Sequence, residues 1–245
     1  MDEENIEKKY TEFISTVSHE LRTPLTSIMG FADTLLNSDD KLSDEQKKKF
    51  LLIIKEQSKR LINMVESLLV VSKLQTQNEK LVYKSIYVND LILKILNLVK
   101  MQFQNHNFIL QLAQNLPEVL IDTDKFQQIL LNLLENAVKY SPENTDITIK
   151  TEYDDKNVYI KILDEGIGIT DENKSKIFEK FARLDTPLTR KTQGSGLGLY
   201  IVKQTVENMD GEISVSDNKP KGSCFTLKFK QSQIQSQSEK KLRGH

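Results

Sequence analysis

His19 stands next to Glu20 in a stretch whose apolar residues, Ile14, Val17, Leu21, Leu25, Ile28, Phe31 and Leu35, recur in steps of three and four. That period makes a helix with one apolar stripe. His19 lies two residues from both Val17 and Leu21, about 200° around the helix from each, so it faces water. A carboxylate that accepts from one ring nitrogen leaves the other nitrogen's lone pair free for attack. Thr23 follows at i+4 on the same face, and Pro24 cannot donate to the carbonyl of Glu20, which bends the helix there. For a lone histidine, a solvated surface residue is the plainer reading, and the chemistry needs further support from the rest of the chain.

A second constellation lies in Ile129-Leu-Leu-Asn132-Leu-Leu-Glu-Asn136-Ala-Val-Lys139-Tyr140. Asn132, Asn136 and Lys139 fall at i, i+4 and i+7, one polar line on an otherwise apolar helix. Buried without partners, two amides and an ammonium would be costly. A phosphate–Mg²⁺ complex would satisfy them, with the amide oxygen of Asn136 on the metal and Lys139 on phosphate charge. A solvent-facing stripe explains the same spacing equally well. Further on, Val158-Tyr-Ile-Lys-Ile-Leu163 alternates as a strand and runs into Asp164-Glu-Gly166-Ile-Gly168. A carboxylate at a strand end can accept from an amino group such as adenine N6, and glycines let backbone approach a flat ligand. Gln193-Gly194-Ser195-Gly196-Leu197-Gly198 then opens a helix, whose first N–H groups form a natural phosphate cradle.

The elements that must position these groups follow from periodicity. A second apolar stripe, through Phe50, Ile53 or Ile54, Leu61, Met64, Leu68 and Val71, follows a capping box at Ser43-Asp-Glu-Gln46. The spacing predicts an antiparallel helical hairpin whose seam is too wide for one partner, hence a dimeric four-helix bundle. Beyond it the pattern predicts a strand over Leu81–Val88, a helix from Asn89 to about Asn105, and strands at Phe108–Leu112 and Val119–Ile121. A helix over Thr123–Tyr140 capped by Asp122 comes next, then a hairpin of Asp146–Tyr153 and Val158–Leu163. An irregular segment over 164–196 leads into a helix near Gly198–Asn208 and strands at Glu212–Ser216 and Ser223–Lys230. The fold class is therefore a multidomain α and α+β chain: a helical hairpin over 1–75, a linker at 76–80, an α/β sandwich over 81–230, and a tail over 231–245 read as disordered.

Composition narrows the function. Lys and Arg number 34 against 35 Asp and Glu, so no basic excess points to nucleic acid. One cysteine, Cys224, excludes an intramolecular disulfide framework, and three histidines make a three-His metal centre unpromising. No apolar run approaches the roughly 18–20 residues of a membrane span. Met1-Asp-Glu-Glu lacks the apolar stretch of an export signal, so the expected setting is reducing and cytoplasmic, alone or as the cytoplasmic part of a membrane-anchored sensor.

The string Phe13-Ile-Ser-Thr-Val-Ser-His19-Glu-Leu-Arg-Thr-Pro-Leu25 closely resembles the phosphoacceptor segment of two-component sensor histidine kinases. The Asn132–Tyr140 segment resembles the same family's asparagine box, and the two glycine segments its glycine boxes. Ile177-Phe178-Glu-Lys180-Phe181-Ala-Arg183 resembles its phenylalanine box, with 182–193 as a nucleotide lid. The order of the boxes is the specific signal, and it covers about residues 10 to 230. The resemblance implies a dimerising hairpin followed by a GHKL (Bergerat) ATP-binding fold.

It also implies roles. His19 would take the γ-phosphoryl of ATP, Glu20 would assist it, and Thr23 matches the family's phosphatase position, which would make the protein bifunctional. Asn132, Asn136, Lys139, Tyr140, Asp164, Gly166, Gly168, Lys180, Arg183 and the run Gly194, Ser195, Gly196, Leu197 and Gly198 would bind nucleotide, with Mg²⁺ on Asn136. The phosphoryl group would pass to an aspartate in the receiver domain of a response regulator. Hydrolytic relatives carry a glutamate at the position of Asn132, so the asparagine argues for transfer over hydrolysis. Two other readings stay open at this point: an ATP-driven conformational machine of the GHKL type, and a non-catalytic dimeric scaffold. Phe178 and Phe181 are expected in the core, and Glu165 stands where the family frequently has asparagine.

Overall fold

Two long helices, α1 (Glu3–Leu36) and α2 (Asp44–Gln75), open the computed structural model, which describes residues 3–38, 42–75, 80–184 and 195–232. Phe31 packs against Phe50 with ring centroids 5.1 Å apart, and Glu20 meets Arg60, so the helices run antiparallel. The capping box forms as expected: Gln46 N–H donates to Ser43 Oγ (3.2 Å) and Ser43 N–H to Gln46 Oε1 (2.9 Å). Met64 and Val71 are buried, yet Ile14, Leu25, Met29, Leu51, Leu52, Ile62, Val65 and Leu69 stay 45–59% exposed. One hairpin therefore leaves a long apolar face uncovered.

The second part is built on a five-stranded sheet. Its strands are β2 (Asn107–Gln111), β4 (Asp146–Tyr153), β5 (Asn157–Leu163), β6 (Glu212–Asp217) and β7 (Ser223–Lys230), ordered β2-β4-β5-β7-β6. β2 and β4 are parallel and the other neighbours antiparallel. A separate ribbon pairs β1 (Tyr83–Ile86) with β3 (Val119–Asp122). Alternation sets the buried face: Ile147 and Ile149 on β4 and Val158, Ile160 and Ile162 on β5 are fully buried. They face helices α3 (Val88–Gln102), α4 (Thr123–Tyr140) and α6 (Gly198–Asn208), whose apolar stripes complete the core.

Some boundaries shift. Val88 begins α3 instead of ending a strand, because with Leu91, Ile92, Ile95 and Val99 it forms one buried helical stripe, and α3 stops at Gln102. The stretch expected to be irregular over 164–196 contains a short helix α5 (Asp171–Lys174) and a 3-10 turn at Lys176–Phe178, which buries Ile177 and Phe178. Gln231 and Ser232 are not loose: their N–H groups donate to Lys156 O (2.9 Å) and Glu118 O (2.7 Å). The rest of the tail, 233–245, lies outside the described residues, as do 39–41 of the hairpin loop and 76–79 of the linker.

Asp122 ties the two layers together. Its carboxylate caps α4 by accepting from Asp124 and Lys125 N–H (both 3.1 Å) and also accepts from Val82 N–H (2.8 Å). Burial works against its charge, but those three N–H groups and the Lys125 cation hold its pKa below the ordinary aspartate value. A carboxylate depressed in the folded state adds stability above its unfolded pKa, and that stability is lost as pH falls through the folded pKa. Asp122→Ala is therefore expected to cost about 2 kcal/mol near neutral pH in urea unfolding. The difference from the parent should shrink once the pH drops below the carboxylate range, and a pH-independent difference would contradict this account.

Candidate active site

A cleft of about 530 Å³ lies between the hairpin and the sandwich, within the usual size of a ligand site. Asn132, Glu135, Asn136, Lys139 and Tyr140 of α4 form one wall, so the polar line read from the sequence faces a cavity. Arg183 and Ser195, Gly196, Gly198 and Leu199 at the start of α6 form a second wall. The third comes from α2, through Glu56, Lys59, Arg60, Asn63 and Met64. A narrower, mostly apolar slot shares Asn136, Tyr140 and Arg183 with the cleft and adds Asp164, Ile167, Gly168, Ile169 and Phe225.

Asp164 sits where β5 ends, 4% exposed. Oδ1 accepts from Gly166 N–H (2.8 Å) and Ser223 N–H (3.1 Å), so Oδ2 is the oxygen left for a ligand's amino group. Burial pushes its carboxyl up, and the two backbone N–H groups oppose that. Gly168 lines the slot with φ +75°. Gly166 has a different reason to be glycine: a Cβ there would lie 2.5 Å from Tyr140 O, so the approach it permits is to the protein's own backbone. Glu165 is exposed and accepts from Asp146 N–H at 3.4 Å.

The cleft is electropositive. Burial, then repulsion from Arg183 and Arg60, lowers the Lys139 pKa to about 8. Glu135 responds oppositely: burial raises its pKa against the pull of Lys59 and Lys139. The ammonium of Lys139 also lies 5.0 Å from the Tyr140 ring centroid. At the head of α6, Leu197 in the cap position makes no side-chain cap, and Gly198 presses on Asn132, whose Oδ1 would be 2.7 Å from an added Cβ. Such a helix start can receive an anion.

Arg60 carries a buried Nε with no hydrogen-bond partner among the described residues. Together the amide of Asn136, two further cations, a helix start and this orphaned donor suit a nucleotide's phosphates, with the apolar slot and Asp164 suiting its base. An amide oxygen such as that of Asn136 also fits Mg²⁺, which takes few protein ligands beside phosphates and water.

Not every expected residue joins them. Lys180 is drawn away: its ammonium lies 4.9 Å from the Phe13 ring and 5.2 Å from the Tyr200 ring, and burial lowers its pKa. Leu197 is fully buried and Gly194 lies outside the described residues, as do 185–193 of the expected lid. Phe178 is core, but Phe181 is not. It packs against Phe13 of α1, with ring centroids 5.6 Å apart and the planes tilted by 45°; its φ is +61°, and its backbone is so close to Gly196 that a Cβ there would meet it at 2.7 Å.

His19 is exposed and does not line the cleft. Thr23 Oγ1 donates to His19 O at 3.2 Å. Glu20, expected to support the imidazole, instead accepts from Arg60 Nη2 at 3.3 Å, because the longer guanidinium reaches it across the hairpin. Spacing could have pointed to the α2 wall: Glu56, Lys59, Arg60 and Asn63 fall at i, i+3, i+4 and i+7. A polar helical stripe does not say what faces it.

Residues 9–77 match the His Kinase A (phospho-acceptor) domain, and residues 121–233 match the histidine kinase-, DNA gyrase B- and HSP90-like ATPase family. The sensor histidine kinase WalK of Bacillus subtilis is 33% identical over 240 residues, 95% of this chain and 39% of that protein. The chain belongs to the sensor histidine kinases. WalK of Staphylococcus aureus is similar at 34% identity, over 92% of this chain and 55% of its own. The chain thus spans less than two thirds of the length of these two WalK proteins. Among solved histidine kinases, ThkA in complex with the response regulator TrrA superposes with a TM-score of 0.75 at 26% identity, covering 91% of this chain and 62% of that one. Acinetobacter baumannii AdeS gives 0.69 at 27% identity, covering 87% and 98%. The α/β part is accordingly a GHKL fold, an ATP-binding domain, and the helical part a phosphoacceptor hairpin. No described helix is long and apolar enough to cross a membrane.

Proposed function

We propose that the chain transfers the γ-phosphoryl group of ATP to His19 and passes it to an aspartate on a response regulator. The observation that carries this reading is the shared wall: the cleft holding Asn136, Lys139 and Arg183 is closed by the helix whose Arg60 grips the neighbour of an exposed histidine. Asp164 takes the adenine amino group in the slot. Lys139, Arg183 and the first turn of α6 take the phosphates. Asn136 would hold Mg²⁺ through its amide oxygen, and the ion would supply neutralisation of phosphate charge.

The sandwich then moves relative to the hairpin to bring the γ-phosphorus in line with His19. The ring lone pair forms the N–P bond, the bond to the β,γ-bridging oxygen breaks, and ADP leaves with that electron pair. Glu20 accepts a hydrogen bond from the other ring N–H and raises the nucleophilicity of the attacking nitrogen. Catalysis here is positioning and charge neutralisation. The face left bare by Met29, Leu51, Leu52 and Leu69 suits a second copy, which completes a four-helix bundle on which a receiver domain docks. Thr23, one turn past His19, would orient water against the regulator's acyl phosphate.

Incubation with γ-labelled ATP and Mg²⁺ tests the reading. The expected result is acid-labile, alkali-stable label on the protein, strongly reduced in Asn136→Ala. Steady phosphate release without labelled protein would instead make the chain a hydrolytic ATPase. Failure to bind an ATP analogue would leave it a scaffold.

A further inference from the structure

Arg60 belongs to two neighbourhoods at once. Nη2 donates to Glu20 on the turn of His19, while the same side chain lines the cleft with Asn136, Lys139 and Arg183. Its Nε, buried and without a partner among the described residues, is a donor still waiting for an acceptor. Arg60 also lies near enough to Lys139 to repel its charge, as Arg183 does. Cations gathered this way are held together at a cost that an entering polyanion relieves. The present partner holds weakly by comparison: the Glu20 pair is a single contact at 3.3 Å, with the two side chains 31% and 19% exposed. A phosphate offers the guanidinium a bidentate acceptor with more charge.

We propose that Arg60 is a latch: it holds Glu20 away from His19 until the terminal phosphate of a nucleoside triphosphate draws the guanidinium into the cleft and frees Glu20 to accept the imidazole N–H. The inference rests on reading the cleft as a triphosphate site. It makes Arg60 a positioning residue for His19 and a sensor of the terminal phosphate, because a diphosphate has no group there to compete with Glu20. Nucleotide shifts the equilibrium only through that difference in contacts.

Calorimetric binding of ADP and of a non-hydrolysable ATP analogue, with Mg²⁺, to the whole chain and to Arg60→Gln and Arg60→Lys separates the outcomes. Arg60→Gln should weaken the analogue about tenfold or more and change ADP by less than about twofold, with Arg60→Lys intermediate. Nitrogen NMR of the His19 ring at fixed pH reads the latch. In the parent chain the analogue should shift the ring nitrogens and ADP should not; in Arg60→Gln they should already be shifted without nucleotide. Equal loss for both nucleotides, or for neither, would overturn the proposal, as would an analogue that binds without moving the His19 signals. If the parent chain bound neither nucleotide, the function proposed for the cleft would fall and the latch with it.

Discussion

His19→Gln is expected to carry no acid-labile label after incubation with γ-labelled ATP, a complete loss where most substitutions would only reduce the yield. Glutamine keeps the length and polarity of histidine, but its amide nitrogen has no available lone pair and cannot form the N–P bond. The side chain is exposed on α1 and outside the cleft lining, so its replacement removes no packing and no phosphate contact. Binding of an ATP analogue should therefore stay within about twofold of the parent, since neither base nor phosphate contacts change. This pairing makes the experiment decisive. Loss of label with intact binding assigns the acceptor; persistent label on His19→Gln would place it elsewhere and remove the reason for Glu20 and Thr23 to matter.

How far the chain could be read in advance depends on whether a residue's role is local. His19 faces outward because of its angle to Val17 and Leu21 on one helix, which three letters of sequence settle. The Asp122 cap, the Ser43–Gln46 box and the α4 polar line are equally local, and each forms. Asp164 was legible because a strand of alternating residues ends on it. Arg60 was not, since its significance lies in two neighbours distant in sequence: Glu20, which it meets across the hairpin, and Lys139, which it nears only where the hairpin and the sandwich come together. Lys180 fails in the opposite sense. Its box points to phosphates, but the rings of Phe13 and Tyr200 compete for the ammonium, and no local pattern announces a ring from another helix. Phe181 departs from the core for the same reason: an aromatic in a mixed segment looks like core until a neighbouring helix supplies an outside partner in Phe13.

Gly222→Ala is expected to disrupt the nucleotide slot and the sandwich together. Its φ of +121° is already costly for any L side chain. A Cβ would also fall 1.8 Å from Asp164 O and 2.7 Å from Asp164 C, a clash with backbone that no rotamer relieves. The backbone there is held on several sides. Asp164 N–H donates to Ser223 O (2.9 Å), Asn218 Nδ2 donates to Asp164 O (2.9 Å), and Asn218 N–H donates to Gly222 O (3.1 Å). To admit a methyl group, β5 and β7 must part where Asp164 Oδ1 receives Ser223 N–H, so the carboxylate proposed to read adenine loses its support. We expect a loss of about 4 kcal/mol or more, seen as a fall of roughly 8–16 °C in Tm, with no measurable ATP-analogue binding. Gly168→Ala is the informative comparison: φ is also positive at +75°, but the nearest atom to its Cβ is 3.5 Å away. That variant should lose only about 1–2 kcal/mol, the cost of left-handed backbone. Equal destabilisation of the two would mean that backbone strain alone accounts for Gly222, and that the contact with Asp164 does not set the slot.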